Sequence, residues 1–244
     1  MTRALAWDGC VNVRDLGGLP VEGGGETRFG VLVRADNVRK LTDAGWDALA
    51  DHGVTRIVDL RWPEELAEDP PRELDLDVVH VSLLGELDSD YVDDVDDYLE
   101  ANDAAAYWSS FYGQMLERYR ENFGAVVAAL ADAPGGVVLF HCAGGKDRTG
   151  LIAALVLRVA GVGIEEIADD YALTEAYLTT GWVDAAPDEA ERHRRRFKQQ
   201  APPAAMARTL HAIEERYGEV AAYLRAAGVT DDQLDRLRGR LVAS

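Results

Sequence analysis

The stretch Val137-Val138-Leu139-Phe140-His141-Cys142-Ala143-Gly144-Gly145-Lys146-Asp147-Arg148-Thr149-Gly150 decides how this chain is read. It opens after the break Pro134-Gly135-Gly136 with four consecutive apolar residues, as expected of a central strand covered on both faces. A short polar turn containing two glycines follows. Leu151 to Ala160 then reads as a helix. The order is strand, loop, helix.

Within the loop a cysteine is followed by five residues and then an arginine. That spacing makes a phosphate-binding loop in which the cysteine is also the nucleophile. Five residues wrap a tetrahedral oxyanion so that successive N–H groups point inward as a nest. The start of the following helix adds the positive end of its dipole. Gly144 and Gly145 permit a tight backbone path. Arg148 offers a planar fork for two phosphate oxygens, and the same donors stabilise a thiolate on Cys142. A Walker A loop is a poorer fit. It needs glycine where Phe140 stands and serine or threonine where Asp147 stands. A rhodanese-like sulfurtransferase also sets a cysteine between strand and helix, but the Lys-Asp-Arg-Thr-Gly ending suits phosphate better. A buried structural cysteine beside a glycine-rich turn is the bland alternative.

Working outward, residues 28–34 read as a strand after Gly23-Gly24-Gly25. Thr42 can cap a helix over 43–51, and Val54 to Leu60 is a buried strand. Pro63 suits the first turn of a short helix, and Val78 to Leu83 is another strand. Residues 86–103 are acidic throughout, with Tyr91, Val95, Tyr98 and Leu99 at helical spacing. They read as a solvated helix with one apolar stripe, or as a mobile flap near the site. A long helix is predicted over Ala105 to Ala131, and a helical pattern runs from Thr149 almost to the end. The expectation is an α/β fold in a single domain, 1–244, with a mostly parallel central sheet flanked by helices and a helical C-terminal extension.

Composition narrows the partners. The 244 residues hold 25 Lys+Arg against 44 Asp+Glu, a net charge of −19. That excess disfavours nucleic acid, whose backbone is gripped by Lys and Arg, and disfavours broad docking on anionic membranes. No apolar run is long enough to span a bilayer. Met1 to Trp7 lacks the apolar stretch of a secretory signal; a cytoplasmic protein is expected, with export lacking such a signal left open. The two cysteines, Cys10 and Cys142, make no disulfide framework, and the five histidines have no metal-ligand spacing. No cofactor and no metal are expected.

The loop resembles the signature of cysteine-dependent tyrosine and dual-specificity phosphatases. Its Lys-Asp-Arg form is similar to a bacterial subgroup that includes mycobacterial protein tyrosine phosphatase B. Asn12-Val13-Arg14-Asp15-Leu16-Gly17-Gly18 resembles that subgroup's N-terminal motif. Leu32-Val33-Arg34-Ala35-Asp36 with Leu41-Thr42, and Val58-Asp59-Leu60-Arg61 with Pro63 and Glu65, resemble its next two blocks. Tyr223-Leu224, Gly228-Val229-Thr230 and Leu234 resemble its C-terminal end, so the likeness spans nearly the whole chain. It implies a phosphomonoester hydrolase acting on protein phosphotyrosine, with phosphoserine and phosphothreonine as further substrates. A phosphoinositide phosphatase and a non-catalytic phosphate-binding protein are the alternatives. It also implies a helical lid within 165–205.

Roles follow. Cys142 attacks phosphorus and forms a cysteinyl-phosphate that water hydrolyses, and Arg148 stabilises the transition state. Ala143, Gly144 and Gly145 bind the phosphate through their backbone. Thr149 assists departure of the thiolate or caps the helix. His141 orients the loop. Lys146 is one of only three lysines, with Lys40 and Lys198, and supplies a second cation for phosphate or a polyphosphorylated head group. The general acid is Asp147 in the first instance, which the resemblance to myotubularin-type enzymes supports. Asp59, at the carboxyl end of a predicted strand, is second, and an acid from 86–103 is third. Trp62-Pro63-Glu64 superficially resembles the mobile Trp-Pro-Asp loop of other tyrosine phosphatases but belongs to the Asp-Leu-Arg block. Asn12, Arg14 and Asp15 buttress the loop. Cys10 is a buried small hydrophobe or a regulatory disulfide partner of Cys142. The bases of 192–198 form a solvated face, a pair with the acidic segment, or a cationic wall.

Overall fold

The computed structural model describes residues 2–70, 76–85, 103–178 and 181–242. Strand β1 (Arg14–Asp15) pairs antiparallel with β2 (Leu32–Ala35). A 3-10 turn over Val38–Lys40 leads to α1 (Asp43–Asp51), where Thr42 Oγ1 accepts from Gly45 N as expected of a cap. Then come β3 (Val54–Asp59), α2 (Pro63–Glu68) and β4 (Asp77–His80). Helices α3 (Ala104–Arg118) and α4 (Arg120–Ala131) precede β5 (Val137–His141). The chain continues through α5 (Asp147–Val159), α6 (Ile164–Tyr177), α7 (Gly181–Asp184) and α8 (Glu189–Gln199). It closes with α9 (Pro203–Tyr217), α10 (Val220–Ala226) and α11 (Asp231–Leu241).

The sheet runs β1-β2-β5-β3-β4, and every pairing but β1–β2 is parallel. The apolar run therefore sits at the centre, hydrogen-bonded on both edges, with all five residues of β5 buried. Its side chains alternate between two cores, as strand geometry requires. Val138 and Phe140 join the core shared with α3 to α6, and Val137 and Leu139 join the core under α1 and Trp7. β3 divides likewise, with Val58 in the first core and Ile57 in the second. Helix α5 is apolar on nearly all sides and is accordingly buried on nearly all sides.

Several boundaries differ from expectation. The long helix is broken at Tyr119 (φ −109°, ψ 25°), which lets α3 lie on α9 while α4 packs against β3 and α5. The strand expected at 28–34 shrinks to 32–35, because Gly30 adopts φ +70° and its N–H turns to Asp15. The helix after the loop starts at Asp147 rather than Leu151, so the loop's last residues already belong to its first turn. The stripe Tyr91, Val95, Tyr98 and Leu99 lies outside the described residues. No helix among the described residues is long and apolar enough to cross a membrane.

Candidate active site

Ala35, His141, Asp59 and His80 stand in register across the sheet. The chain leaving β5 at Cys142 therefore emerges beside Asp36, which follows β2, and Leu60, which follows β3. Chains from three adjacent strands meet at the carboxyl edge of the sheet, the usual location of a ligand site in an open α/β fold.

Three successive carbonyls of the loop are tied outward. Asn37 N donates to Ala143 O at 3.1 Å, Asn12 Nδ2 to Gly144 O at 3.1 Å, and Arg34 Nη2 to Gly145 O at 2.9 Å. In a trans peptide N–H and C=O point in opposite directions, so these bonds turn the N–H groups of Gly144, Gly145 and Lys146 toward the hollow of the loop. The two glycines are not equivalent. Gly145 has φ +68°, and a Cβ there would sit 2.7 Å from Ala35 O. Gly144 has room for a side chain.

A buried network holds these tethers. Asp170 of α6 accepts from Arg14 Nε at 3.0 Å and Arg34 Nη1 at 2.7 Å, and pairs with Arg3. Arg14 Nη1 donates to Asn12 Oδ1 at 2.6 Å, so Arg14 supports the loop through Asn12. Burial would raise the Asp170 carboxyl, but the guanidinium groups of Arg14, Arg34 and Arg3 overcome it and hold it well below the carboxylate range. Asp36 accepts from the backbone of Val11 and Asn12, which seats the Asn12 segment. Asp15, expected to buttress the loop, is elsewhere. Its carboxylate accepts from Gly17 N and Gly30 N and stabilises the turn between β1 and β2.

Cys142 is buried at the mouth of β5, and Arg148 stands in the first turn of α5. Arg148 Nη1 and Nη2 donate to Glu65 at 2.5 and 2.9 Å, and its guanidinium lies 4.7 Å from the Trp62 ring centroid. Burial disfavours its charge, but Cys142 and Glu65 outweigh burial and raise its pKa further. The Trp62-Pro63 segment starts α2, and Glu65 also accepts from Trp62 N at 3.0 Å. Thr149 occupies the third position of α5, not its cap, and its buried hydroxyl has no hydrogen-bond partner.

Lys146 turns away from the hollow. Its Nζ sits 3.5 Å from the Trp108 ring centroid, donates to Gln200 O at 3.0 Å, and lies 3.2 Å from Asp147 Oδ1. Burial pushes this ammonium below the usual lysine range while Asp147 pulls it up. Tyr112 OH donates to the same Asp147 oxygen at 2.5 Å and lies 2.7 Å from Tyr171 OH. Burial and Asp147 push the Tyr112 phenol well above its usual value, so it stays a donor at neutral pH.

Asp59 is engaged by Arg61 at 2.8–3.1 Å and lies 3.6 Å from His141 Nε2. Burial would raise it, but the Arg61 hydrogen bonds prevail and hold it below the carboxylate range. It is thus ionised at neutral pH, with both carboxylate oxygens held by Arg61. Burial pushes His141 down, keeping it neutral, with Nδ1 3.3 Å from Cys142 O. Cys10 Sγ lies 3.4 Å from Asn37 O, and burial with Asp36 nearby strongly disfavours its thiolate. The arginines of α8 pair within their own helix: Arg192 with Glu189, Arg194 and Arg195 with Glu191. Most of the acidic segment, 86–102, lies outside the described residues.

Sequence reasoning quoted Arg34 and Glu65 as parts of motif blocks without giving them a role at the loop, and missed Asp170, Asn37 and Tyr112. Arg34 carried a signal, being a charge inside an otherwise apolar strand. Asp170 carried none, since it looks like its solvated neighbours Glu165, Glu166 and Asp169.

Comparison with known proteins completes the picture. The family model described as the tyrosine phosphatase family matches residues 5–243. A tyrosine-protein phosphatase of Nostoc commune is 31% identical over 227 residues, covering 86% of this chain and 74% of its own length. The triple specificity protein phosphatase PtpB of Mycobacterium tuberculosis is 30% identical over 257 aligned positions, covering 88% of this chain and 92% of its own length.

Proposed function

The chain belongs to the tyrosine phosphatase family, and from that premise we propose that Cys142 carries the phosphoryl group of phosphotyrosine as a cysteinyl-phosphate. Cys142 Sγ attacks phosphorus, the bond to the aryl oxygen breaks, and Asp147 gives that oxygen a proton. Water, giving its proton to the Asp147 carboxylate, then attacks phosphorus, and the P–S bond breaks to release inorganic phosphate. Arg148 and the N–H groups of the loop hold the three remaining oxygens throughout. Arg148 can do so while Glu65 holds it, because Nη1 and Nη2 each carry a second N–H. The Thr149 hydroxyl, which has no other partner, is available to the departing thiolate.

The observation that carries this reading is the row of outward-tied carbonyls at Ala143, Gly144 and Gly145 beside a buried cysteine and an oriented arginine. Asp147 is favoured as the acid over Asp59. Its Oδ1 is held by Tyr112 and Lys146, which leaves Oδ2 for the leaving group, while Asp59 is committed to Arg61. Phosphotyrosine is favoured over a polyphosphorylated head group because the Lys146 ammonium is already bound by Trp108, Gln200 and Asp147. Phosphoserine and phosphothreonine remain within the reading, as the acid suits alkyl leaving groups too. Helix α8, anchored by Phe197 against Trp108 and next to Gln200, is the proposed lid. Cys142→Ser is expected to abolish vanadate-sensitive turnover of an aryl phosphate while keeping vanadate binding. Retained turnover would overturn the nucleophile.

A further inference from the structure

We infer that Tyr112 and Tyr171 are positioning residues for the acid: their hydroxyls form a one-way hydrogen-bond chain that holds Asp147 Oδ1 and leaves the transferable proton on Oδ2, an inference that rests on the reading of Asp147 as the acid. Tyr112 OH lies 2.5 Å from Asp147 Oδ1 and 2.7 Å from Tyr171 OH. Both tyrosines are buried, their rings meeting edge to face with centroids 6.0 Å apart. The Asp147 side chain is 34% exposed and lines the cleft beside the loop.

The placement follows from two helices. Tyr112 belongs to α3 and Tyr171 to α6. Trp108 and Tyr112 stand one turn apart on one face of α3. They hold consecutive residues of the loop, Trp108 the Lys146 ammonium and Tyr112 the Asp147 carboxylate. Gly150 makes room for the second tyrosine, since a Cβ there would stand 3.2 Å from Tyr171 Cδ2. A buried phenol needs a single acceptor, and elsewhere in this core a main-chain carbonyl suffices: Tyr223 OH donates to Leu116 O at 2.8 Å. For Tyr112 the acceptor is instead the side chain proposed to exchange a proton with the substrate.

The direction of the chain follows from proton counting, because each hydroxyl has one proton to donate. A proton on Asp147 Oδ1 would point at Tyr112 OH. Tyr112 would then turn its own proton to Tyr171, and the Tyr171 proton would lack an acceptor. Among the described residues the Tyr171 hydroxyl has no hydrogen-bond partner but Tyr112, and an unpaired buried donor bears its full desolvation cost. A proton on Oδ1 would also face the Lys146 ammonium, 3.2 Å away. The opposite order, Tyr171 to Tyr112 to Oδ1, satisfies both phenol protons. It leaves Oδ2 to give its proton to the aryl oxygen as the P–O bond breaks, and to take one from the attacking water. Burial raises both phenols above their usual range, so they keep their protons at neutral pH and the order persists through the cycle.

The test compares the full chain with Tyr112→Phe, Tyr171→Phe, the double variant and Asp147→Asn on phenyl phosphate and p-nitrophenyl phosphate. These substrates differ chiefly in the basicity of the leaving group, so the ratio of their kcat values reads proton donation rather than the integrity of the loop. Tyr112→Phe should lower kcat about 10-fold on phenyl phosphate and about 2-fold on p-nitrophenyl phosphate, with the change in kcat rather than KM. Tyr171→Phe should show the same selectivity at about 2- to 3-fold, and the double variant should match Tyr112→Phe, because Tyr171 acts through Tyr112. A Tyr112→Phe loss that is absent, or equal on the two substrates, overturns the inference. So does a double variant whose loss is the product of the single losses. If Asp147→Asn shows the selective loss and Tyr112→Phe does not, the inference alone falls. If Asp147→Asn slows both substrates equally, the acid reading falls and takes the inference with it. Should Tyr112→Phe fail to fold, Tyr171→Phe decides the matter, with selective loss supporting the inference and equal or no loss overturning it.

Discussion

Two arginine clusters flank the Cys142–Arg148 loop, and they are built in different proportions. In front of it, Arg148 meets one carboxylate, Glu65, in a matched fork. Behind it, Arg3, Arg14 and Arg34 share Asp170. The front pair is neutral in sum and orients one group toward the hollow. The rear cluster keeps surplus positive charge, and its spare donors reach Asn12 and Gly145 O. The contrast separates two tasks. The front cluster aims a side chain, and the rear cluster shapes a backbone and offers an anion a favourable field in a strongly acidic protein.

The largest expected effect breaks the rear cluster. Asp170→Asn leaves three guanidinium groups without a counter-charge, two of them fully buried, and should cost about 3–5 kcal/mol of stability. Denaturant midpoints check this, and an unchanged midpoint would dissolve the contrast. The pH dependence sharpens it. The folded Asp170 carboxyl lies below its unfolded value, so its contribution is complete above about pH 4 and is lost as pH falls further. Asp170→Asn should flatten that acid-side loss.

Next comes the front. Asp147→Asn should slow an unactivated aryl phosphate by roughly 10²-fold and p-nitrophenyl phosphate far less. Asp59→Asn behaving that way would transfer the acid role to Asp59. Glu65→Gln keeps Arg148 charged but loosens its fork, and should lower kcat/KM by about 10-fold with about 1 kcal/mol lost in stability. If Glu65→Gln instead destabilises as much as Asp170→Asn, the two clusters are doing the same work. The smallest effect is Asn12→Ala, which frees Gly144 O at a cost of about 1 kcal/mol and should weaken vanadate binding to a similar degree.

The strand, loop and helix were legible because each is a local pattern. A continuous apolar run can be satisfied only by burial on both faces, and a Cys-x5-Arg spacing is set by chain connectivity alone. The Thr42 cap was legible for the same reason. The break at Tyr119 was not, because the apolar periodicity continues through it and only packing on α9 requires the bend.

At the site, the sequence by itself singled out the proposed nucleophile, the proposed anion-binding arginine and the proposed acid, all within one loop. Tertiary structure alone decided which groups orient them. Glu65 reaches Arg148 from 83 residues away, and Asp170 reaches Arg34 across 136. It also decided where Lys146 points. In the sequence it is a cation inside a phosphate loop. In the fold it is held by Trp108 and Gln200. A residue's position along the chain sets which backbone it belongs to. The direction of a long side chain is set by the partners that folding brings to it.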